Sequence, residues 1–317
     1  MSVLVFIENR DTNLRTTDFE LASYAVALAK QLNTNAIALW LGTSHSCNIN
    51  QFGRFGIQTI YTCSSPVFDI PSGKLYSNAI TTIVNQLDVQ LVVMAASNLS
   101  KAIAPRVAVQ LKAGFMSGVQ GLPAQLTPFV ANKRLFNGKI LACSEVDSKR
   151  MVITLAPNSF GLIETPTDSN IIDFAFDYEP AIRVIETTKP NNTIQLSEAS
   201  IVVSGGRGMH SPDNWRPLEE LAHTLGAALA CSRPVSDDGW RPHSEHVGQT
   251  GKIIAPNLYM AFGISGATQH LGGVSSSKCI VAVNTDPSAP IFEVADYGIV
   301  GDAQTVIPQL IEAVKNK

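Results

Sequence analysis

Short apolar runs alternate with helical segments over the first 113 residues, and the same rhythm restarts after residue 200. Strands separated by helices pack as a parallel sheet joined by right-handed crossovers, so this alternation constrains the fold more than any other feature. "SVLVFIE" (2–8) is strand-like. "FELASYAVALAKQL" (19–32) carries apolar residues at helical spacing, with Asp18 placed as its cap. "AIALWLG" (36–42) and "GIQTIYTC" (56–63) are further strands, followed by a helix over about 73–88. "VQLVVMAAS" (89–97) is almost continuously apolar, as expected of a central strand buried on both faces. "AIAPRVAVQLKA" (102–113) returns to helix.

Residues 115–186 have little helical pattern. "PFVANKRLFNGKILACSEV" predicts a β-hairpin around Asn137-Gly138, with further strands at 151–157 and 181–187. The polar, proline-containing stretch 187–200 is the best linker, which places a domain boundary near 190. Beyond it come "SIVVSGGRG", a helix over 214–226 ended by Gly226, "ALACSR", "NLYMAFG", "KCIVAVNTD", "DYGIVGD" and a closing helix over 302–315. The expected fold is therefore α/β with two domains, 1–190 and 191–317, each built on a mainly parallel sheet flanked by helices. Two domains also suit 317 residues at roughly 100–200 per domain.

Composition removes several function classes. A net charge of -3 gives no broad footprint for nucleic acid. The five cysteines are scattered and form no C-x-x-C pair, which argues against a disulfide framework, a zinc site or an iron–sulfur cluster. No apolar stretch reaches the ~18 residues of a membrane span. "MSVLVFIENRD" lacks the basic and long apolar regions of a secretion signal. The expectation is a soluble protein, cytoplasmic in a bacterium or internal to an organelle.

In the second half, polar groups and glycines collect just after the strands: Gly205-Gly206-Arg207-Gly208, Ser232-Arg233, Ser265 to His270, Asn284-Thr285-Asp286 and Asp302. The C-terminal strand ends of an open parallel sheet form the ligand-binding edge, so this pattern suits a nucleotide-like ligand; strand ends also need turn residues of the same types. "GGRG" is not G-x-G-x-x-G, and "GQTGK" (248–252) shares only Gly-Lys with a P-loop. "GISGATQH" ends a strand and opens a helix, where free N–H groups suit a pyrophosphate; an ordinary β–α turn reads the same way. Arg207 and Arg233 at two strand ends point to an anionic ligand. His270 reads as a structural hydrogen-bonder or a site residue. His243, Glu245 and His246 match no metal-ligand spacing and are expected to be solvated, and Asp237-Asp238 to form a turn. "VVSGG" is not a G-x-S-x-G elbow, so nucleophilic hydrolysis has little support.

Several of these segments together resemble one family. "LYMAFGISGATQHLGGVSSSKCIVAVNTDPSAPIFEVADYGIVGD", with "SGGRG", "CSRPVSDDGW" and "VGQTGKIIAP", is similar to the α subunits of electron transfer flavoproteins. The N-terminal half resembles them more weakly, through "VLVFIE" and "VVMAAS...IAPRVAVQL". The "NKRLFNGKI" hairpin and the histidine-rich "RPHSEHVGQTG" depart from the family pattern.

The resemblance implies a nucleotide-hydrolase-like first domain that meets a partner subunit, and a doubly wound second domain that binds FAD. It implies a heterodimer with a β subunit that covers the flavin and carries AMP. The complex would accept electrons from acyl-CoA dehydrogenases and related enzymes and pass them singly to a membrane quinone oxidoreductase, the electron transfer flavoprotein–ubiquinone oxidoreductase. By similarity, FAD contacts fall on Arg207, Ser232, Arg233, Val247, Gly248, Gln249, Thr250, Ser265, Gly266, Ala267, Thr268, Gln269, His270, Asn284 and Asp302. Among them, Arg233 would lie against the isoalloxazine ring, Thr250 near N5 and His270 near the C2 carbonyl oxygen. A reduced flavin carries negative charge over N1 and O2, which a cation or a donor at those places stabilises. No catalytic acid–base pair and no metal is expected. Two other readings stand beside this one: a non-redox nucleotide-binding or regulatory module on the same fold, and a flavin-dependent dehydrogenase with its own substrate. The first would not need Arg233, Thr250 and His270 together; the second would need a substrate base.

Overall fold

The computed structural model describes residues 2–9, 14–43, 48–136, 140–178, 184–186, 194–197 and 199–316. The chain divides into two compact units: Met1–Arg134 with Leu141–Thr188, and Leu135–Ile140 with Lys189–Lys317.

The first unit holds β1 (Ser2–Ile7), α1 (Thr16–Gln31), β2 (Asn35–Leu41), β3 (Thr59–Cys63), α2 (Gly73–Gln86), β4 (Leu91–Ala95) and α3 (Asn98–Leu111). A strand-rich stretch follows: β5 (Gly114–Leu126), β6 (Phe129–Leu135), β7 (Ile140–Val146), β8 (Met151–Leu155) and β9 (Asn170–Asp173). Nine strands form one sheet in the order β7-β6-β5-β8-β4-β1-β2-β3-β9. From β5 across to β9 the pairings are parallel, while β5 and β6 run antiparallel. Alternation along β1 sorts the two layers: Val3, Val5 and Ile7 pack with α1, Leu4 and Phe6 with α2 and α3. β4 is central and buried on both faces, as its continuous apolar run predicts.

Three details differ from the sequence reading. Helix α1 starts earlier, with Arg15 as its N-cap; Asp18 lies inside the first turn, where its carboxylate accepts the Arg15 N–H at 2.9 Å. A carboxylate there still complements the helix dipole, so the composition signal was sound and the position wrong. The strand expected over 181–187 does not appear in 184–186, and 181–183 and 187 lie outside the described residues, as does the Asn137-Gly138 turn. Short, exposed β9 was not foreseen; it pairs in parallel with β3 at the far edge.

The second unit holds β10 (Ile201–Gly205), α4 (Arg216–Leu225), β11 (Ala228–Cys231), α5 (Arg233–Asp237), β12 (Leu258–Phe262), α6 (Thr268–Val274), β13 (Cys279–Asn284), β14 (Tyr297–Val300) and α7 (Ala303–Lys315). Its five strands are all parallel, in the order β11-β10-β12-β13-β14. Chain direction across the sheet reverses between β10 and β12, which makes that junction the switch point. Met260 and Phe262 of β12 pack under α4 and α7, while Tyr259 and Ala261 face the α6 side. Both units are thus mixed α/β, and the second is doubly wound.

Trp215, buried at the entrance to α4, backs the end of β10: a Cβ on Gly205 would lie 2.5 Å from its ring. The Arg241 guanidinium stands 5.8 Å from the same ring. Trp215→Ala should therefore cost about 3–5 kcal/mol and lower the urea midpoint of the second unit's unfolding. An unchanged midpoint would show that Trp215 does not support this strand.

Candidate functional site

Backbone packing at the switch point builds the site. β10 runs into Gly206, Arg207 and Gly208, and β12 runs into Gly263. The two loops touch main chain to main chain: Gly206 N–H donates to Phe262 O at 2.9 Å and Gly208 N–H to Gly263 O at 3.0 Å. A Cβ on Gly263 would come within 2.7 Å of Gly208, and Gly263 also adopts a left-handed φ of 61°. Only glycine meets both demands there. Beyond it, the turn is held by Asn284 Nδ2 donating to Ile264 O at 2.9 Å and by Ile291 N–H donating to Ser265 O at 3.0 Å.

The third wall is the 246–252 loop. Val247 N–H donates to Cys231 O at 3.0 Å, extending β11 by one bridge, and Gln249 N–H donates to Gln269 O at 2.8 Å at the edge of α6.

Between these walls lies a cleft of about 510 Å³. Of the residues expected at a ligand, Arg207, Ser232, Arg233, Val247, Gly248 and Thr250 line it from one side. Ser265, Gly266, Ala267, Gln269, His270 and Asn284 line it from the other. Gln249, Thr268 and Asp302 are not among the lining residues. The Gln249 side chain lies over Gly272, Thr268 opens α6, and Asp302 caps α7 by accepting the Gln304 N–H at 3.0 Å. Gly208, Pro234, His246, Gly263 and Ile264 also line the cleft and were not among the expected ligand contacts. Two of them are glycines inside the quoted loops, so the signal was present; nothing in the sequence marks Pro234 or Ile264.

His246 corrects an expectation. The polar loop "RPHSEH" reads as solvated, yet His246 is 2 % exposed, because its bridge to Cys231 draws it onto the sheet edge. Burial pushes its pKa down, and His243 pushes it further. Glu245 is held by Arg241 through two contacts of 2.7 and 2.8 Å. Asp237 and Asp238 lie in the turn that closes α5, where Gly239 N–H donates to Ser236 O at 3.0 Å, and Asp237 also pairs with Arg233 at 3.2 Å.

The electrostatics are one-sided. Arg207 and Arg233 line the cleft, and none of the described lining residues is a carboxylate. The amides of Gly266, Ala267, Thr268 and Gln269 donate to no group among the described residues, so they are available to an acceptor. His270 is buried, with Nε2 at 2.7 Å from the Tyr259 hydroxyl and the Val247 main chain close enough to its ring to bear on its pKa. Burial lowers its pKa to about 4, so the ring is neutral near pH 7. Among the described residues, no group of three or more His, Cys, Asp or Glu is placed to hold a metal ion. No helix there is long and apolar enough to cross a membrane. The arrangement can bind an extended anion with neutral donors and two cations; it offers no paired acid and base.

Comparison with known proteins gives the same direction. Residues 3–179 match a profile described as an electron transfer flavoprotein domain, and residues 195–275 one described as an electron transfer flavoprotein FAD-binding domain. A protein of Thermoanaerobacterium thermosaccharolyticum is 34% identical, over 99% of this chain and 97% of its own. One of Syntrophomonas wolfei is 35% identical over 98% of both chains, and one of Bacillus subtilis 33% identical over 99% of this chain and 97% of its own. All three carry the name electron transfer flavoprotein subunit alpha.

The buried histidine has a pH signature. In the folded chain His270 titrates near 4, below its unfolded value of about 6.5, so the unfolded state holds more protons between those limits. Stability of the ligand-free chain should fall as pH drops from about 6.5 toward 4, by up to about 3 kcal/mol, and His246 adds in the same direction. Urea unfolding at stepped pH measures this; His270→Gln should flatten the dependence, and an equal slope in the variant would refute the assignment.

Proposed function

Because the chain belongs to the electron transfer flavoprotein α-subunit family, we propose that it is the FAD-carrying half of a heterodimeric electron carrier. Its cofactor is FAD. The observation that carries the reading is the cleft at the switch point, lined by two arginines and uncharged donors and by no carboxylate.

The residues fit the group. The unpartnered amides at 266–269 and the Arg207 guanidinium suit a pyrophosphate, and the neutral His270 ring lines the same cleft. Ser265 and Ser232 add hydroxyls, and Asn284 holds the turn through which Ser265 and Gly266 enter the cleft. Bound FAD supplies the electron-transfer chemistry. The chain's own residues bind it and set the polarity around it: Arg233 places a cation at the rim, tethered by Asp237, while Thr250 and His270 offer neutral hydrogen-bonding groups. Val247 and Gly248 bring main chain close to the same space. Gln249, Thr268 and Asp302 serve by holding the loop on Gly272, opening α6 and capping α7.

In this reading the partner is an electron transfer flavoprotein β subunit carrying AMP. The donors are acyl-CoA dehydrogenases and the acceptor is a membrane quinone oxidoreductase reached without membrane insertion. The chain turns over no substrate of its own, and works in the bacterial cytoplasm or, in a eukaryote, the mitochondrial matrix. The first unit serves mainly as the partner interface.

The test has two arms. The chain co-purified with its β partner should be yellow and hold one FAD; a colourless preparation that also fails to take up added FAD would sink the proposal. Arg233→Ala should leave the protein folded and lower the flavin's midpoint potential by about 20 mV, the two-electron equivalent of ~1 kcal/mol for an exposed cation near the ring. An unchanged potential in redox titration would remove Arg233 from this role.

A further inference from the structure

The histidine pair His243 and His246 belongs to the wall of the cleft, and the proposed function gives it no task. His246 lines the cleft and is 2 % exposed, while His243 is exposed; their ring centroids lie 5.3 Å apart. The 246–252 loop folds back over the His246 ring: Lys252 N–H donates to His246 O at 2.9 Å, and a Cβ on Gly251 would lie 2.8 Å from Nδ1. Nδ1 has no hydrogen-bond partner among the described residues. A Cβ on Gly248, another lining residue, would lie 3.4 Å from Nε2. The charged groups around the ring compete. Asp237 of α5 favours the imidazolium; Arg233 of the same helix and His243 oppose it, as burial does. Cys231 of β11, bridged to His246, is a buried thiol pushed up to about 12 and stays neutral, and His270 of α6 titrates near 4. Glu245 is taken up by Arg241, and Lys252 is exposed. The balance lowers the pKa of His246, so the ring is uncharged at neutral pH in the ligand-free chain.

We propose that His246 is a redox-linked proton site: it takes a proton from solvent, by way of exposed His243, as negative charge builds in the cleft, and gives it back as that charge leaves. This rests on the proposed function, with the flavin ring near Arg233 of α5 and Thr250 of the 246–252 loop, the two elements on which His246 is packed. Reduction by two electrons and one proton adds one negative charge to the cleft, and a nearby opposite charge favours the protonated form of an imidazole. His246 then accepts a second proton, from water, at a ring nitrogen, and the net charge of the cleft is the same before and after. Oxidation passes the electrons on and returns both protons to water. Arg233 carries its charge in both states. His246 acquires one only in the reduced state, so its help to reduction depends on pH.

The test is the midpoint potential of the FAD-loaded heterodimer from about pH 4.5 to about 8.5, roughly two units on either side of the ordinary histidine value. Between the titration of His246 in the oxidised complex and in the reduced one, the reduced form holds one proton more, so the potential falls as pH rises. The wild type should fall more steeply there than His246→Gln, by up to about 30 mV per pH unit for one proton and two electrons. His243→Gln should keep the extra slope and move it to higher pH, because a cation that opposes His246 is gone. Equal slopes in the wild type and His246→Gln, with FAD bound to both, overturn the proposal; an extra slope that stays in place in His243→Gln removes His243 from it. A wild-type complex that binds no FAD refutes the proposed function itself, so the two failures are distinct. Should His246→Gln not retain FAD, 13C NMR of the histidine-labelled wild-type complex decides. The His246 ring, assigned through its own backbone, should titrate at least about one pH unit higher in the reduced state than in the oxidised one. An unmoved titration overturns the proposal.

Discussion

The main-chain contact between the loops after β10 and β12 is the constraint on which the rest of the second unit's chemistry depends. Parallel neighbours diverge at their C-terminal ends, because their connections leave toward opposite faces at the switch point. Here that divergence is limited by Gly206 and Gly208 lying against Gly263, closely enough that a single Cβ would collide with backbone. The close approach has two effects. It leaves the following segment, 264–269, to bend around the cleft with its amides unused by the fold. It also brings α6 near enough to the 246–252 loop for Gln249 and Gln269 to share a hydrogen bond and for Gly273 to pack on Gly248. The first effect makes a binding surface and the second closes it.

Much of this was legible in the chain because the physics writes twice at such places. A strand buried on both faces must be apolar throughout, so β4, β10 and β12 stood out as runs. A strand end facing a ligand must carry groups that neither the sheet nor the core can use, so Ser232, Arg233, Ser265 and Asn284 stood out as polar residues where a run stops. What stayed hidden depends on pairing between distant segments. His246 lies between Glu245 and Val247, and only the bridge to Cys231 takes it out of solvent. β9 is four exposed residues whose strand character comes wholly from its neighbour β3. Asp237 lies in the turn expected of it, but its pairing with Arg233 four residues back appears only once α5 has formed.

The charge distribution of the cleft follows from a requirement for difference in place of strength. A group that binds an anion equally well before and after it gains charge changes affinity without changing its tendency to gain that charge. Arg207, if it meets a pyrophosphate, is such a group: phosphate charge is constant through the reaction. A neutral N–H donor behaves differently, since the hydrogen bond it makes strengthens as its acceptor becomes an anion. His270 is kept out of the first class by burial, which keeps the ring uncharged. An imidazolium in the same place would favour the anion more strongly, but would cost the fold the desolvation of a buried cation. Neutrality at His270 thus serves stability, and leaves to the ring the smaller differential effect of a neutral donor. The absence of carboxylates from the described lining is the complement of that choice, because one negative side chain there would cancel the small differential effect that neutral donors can supply.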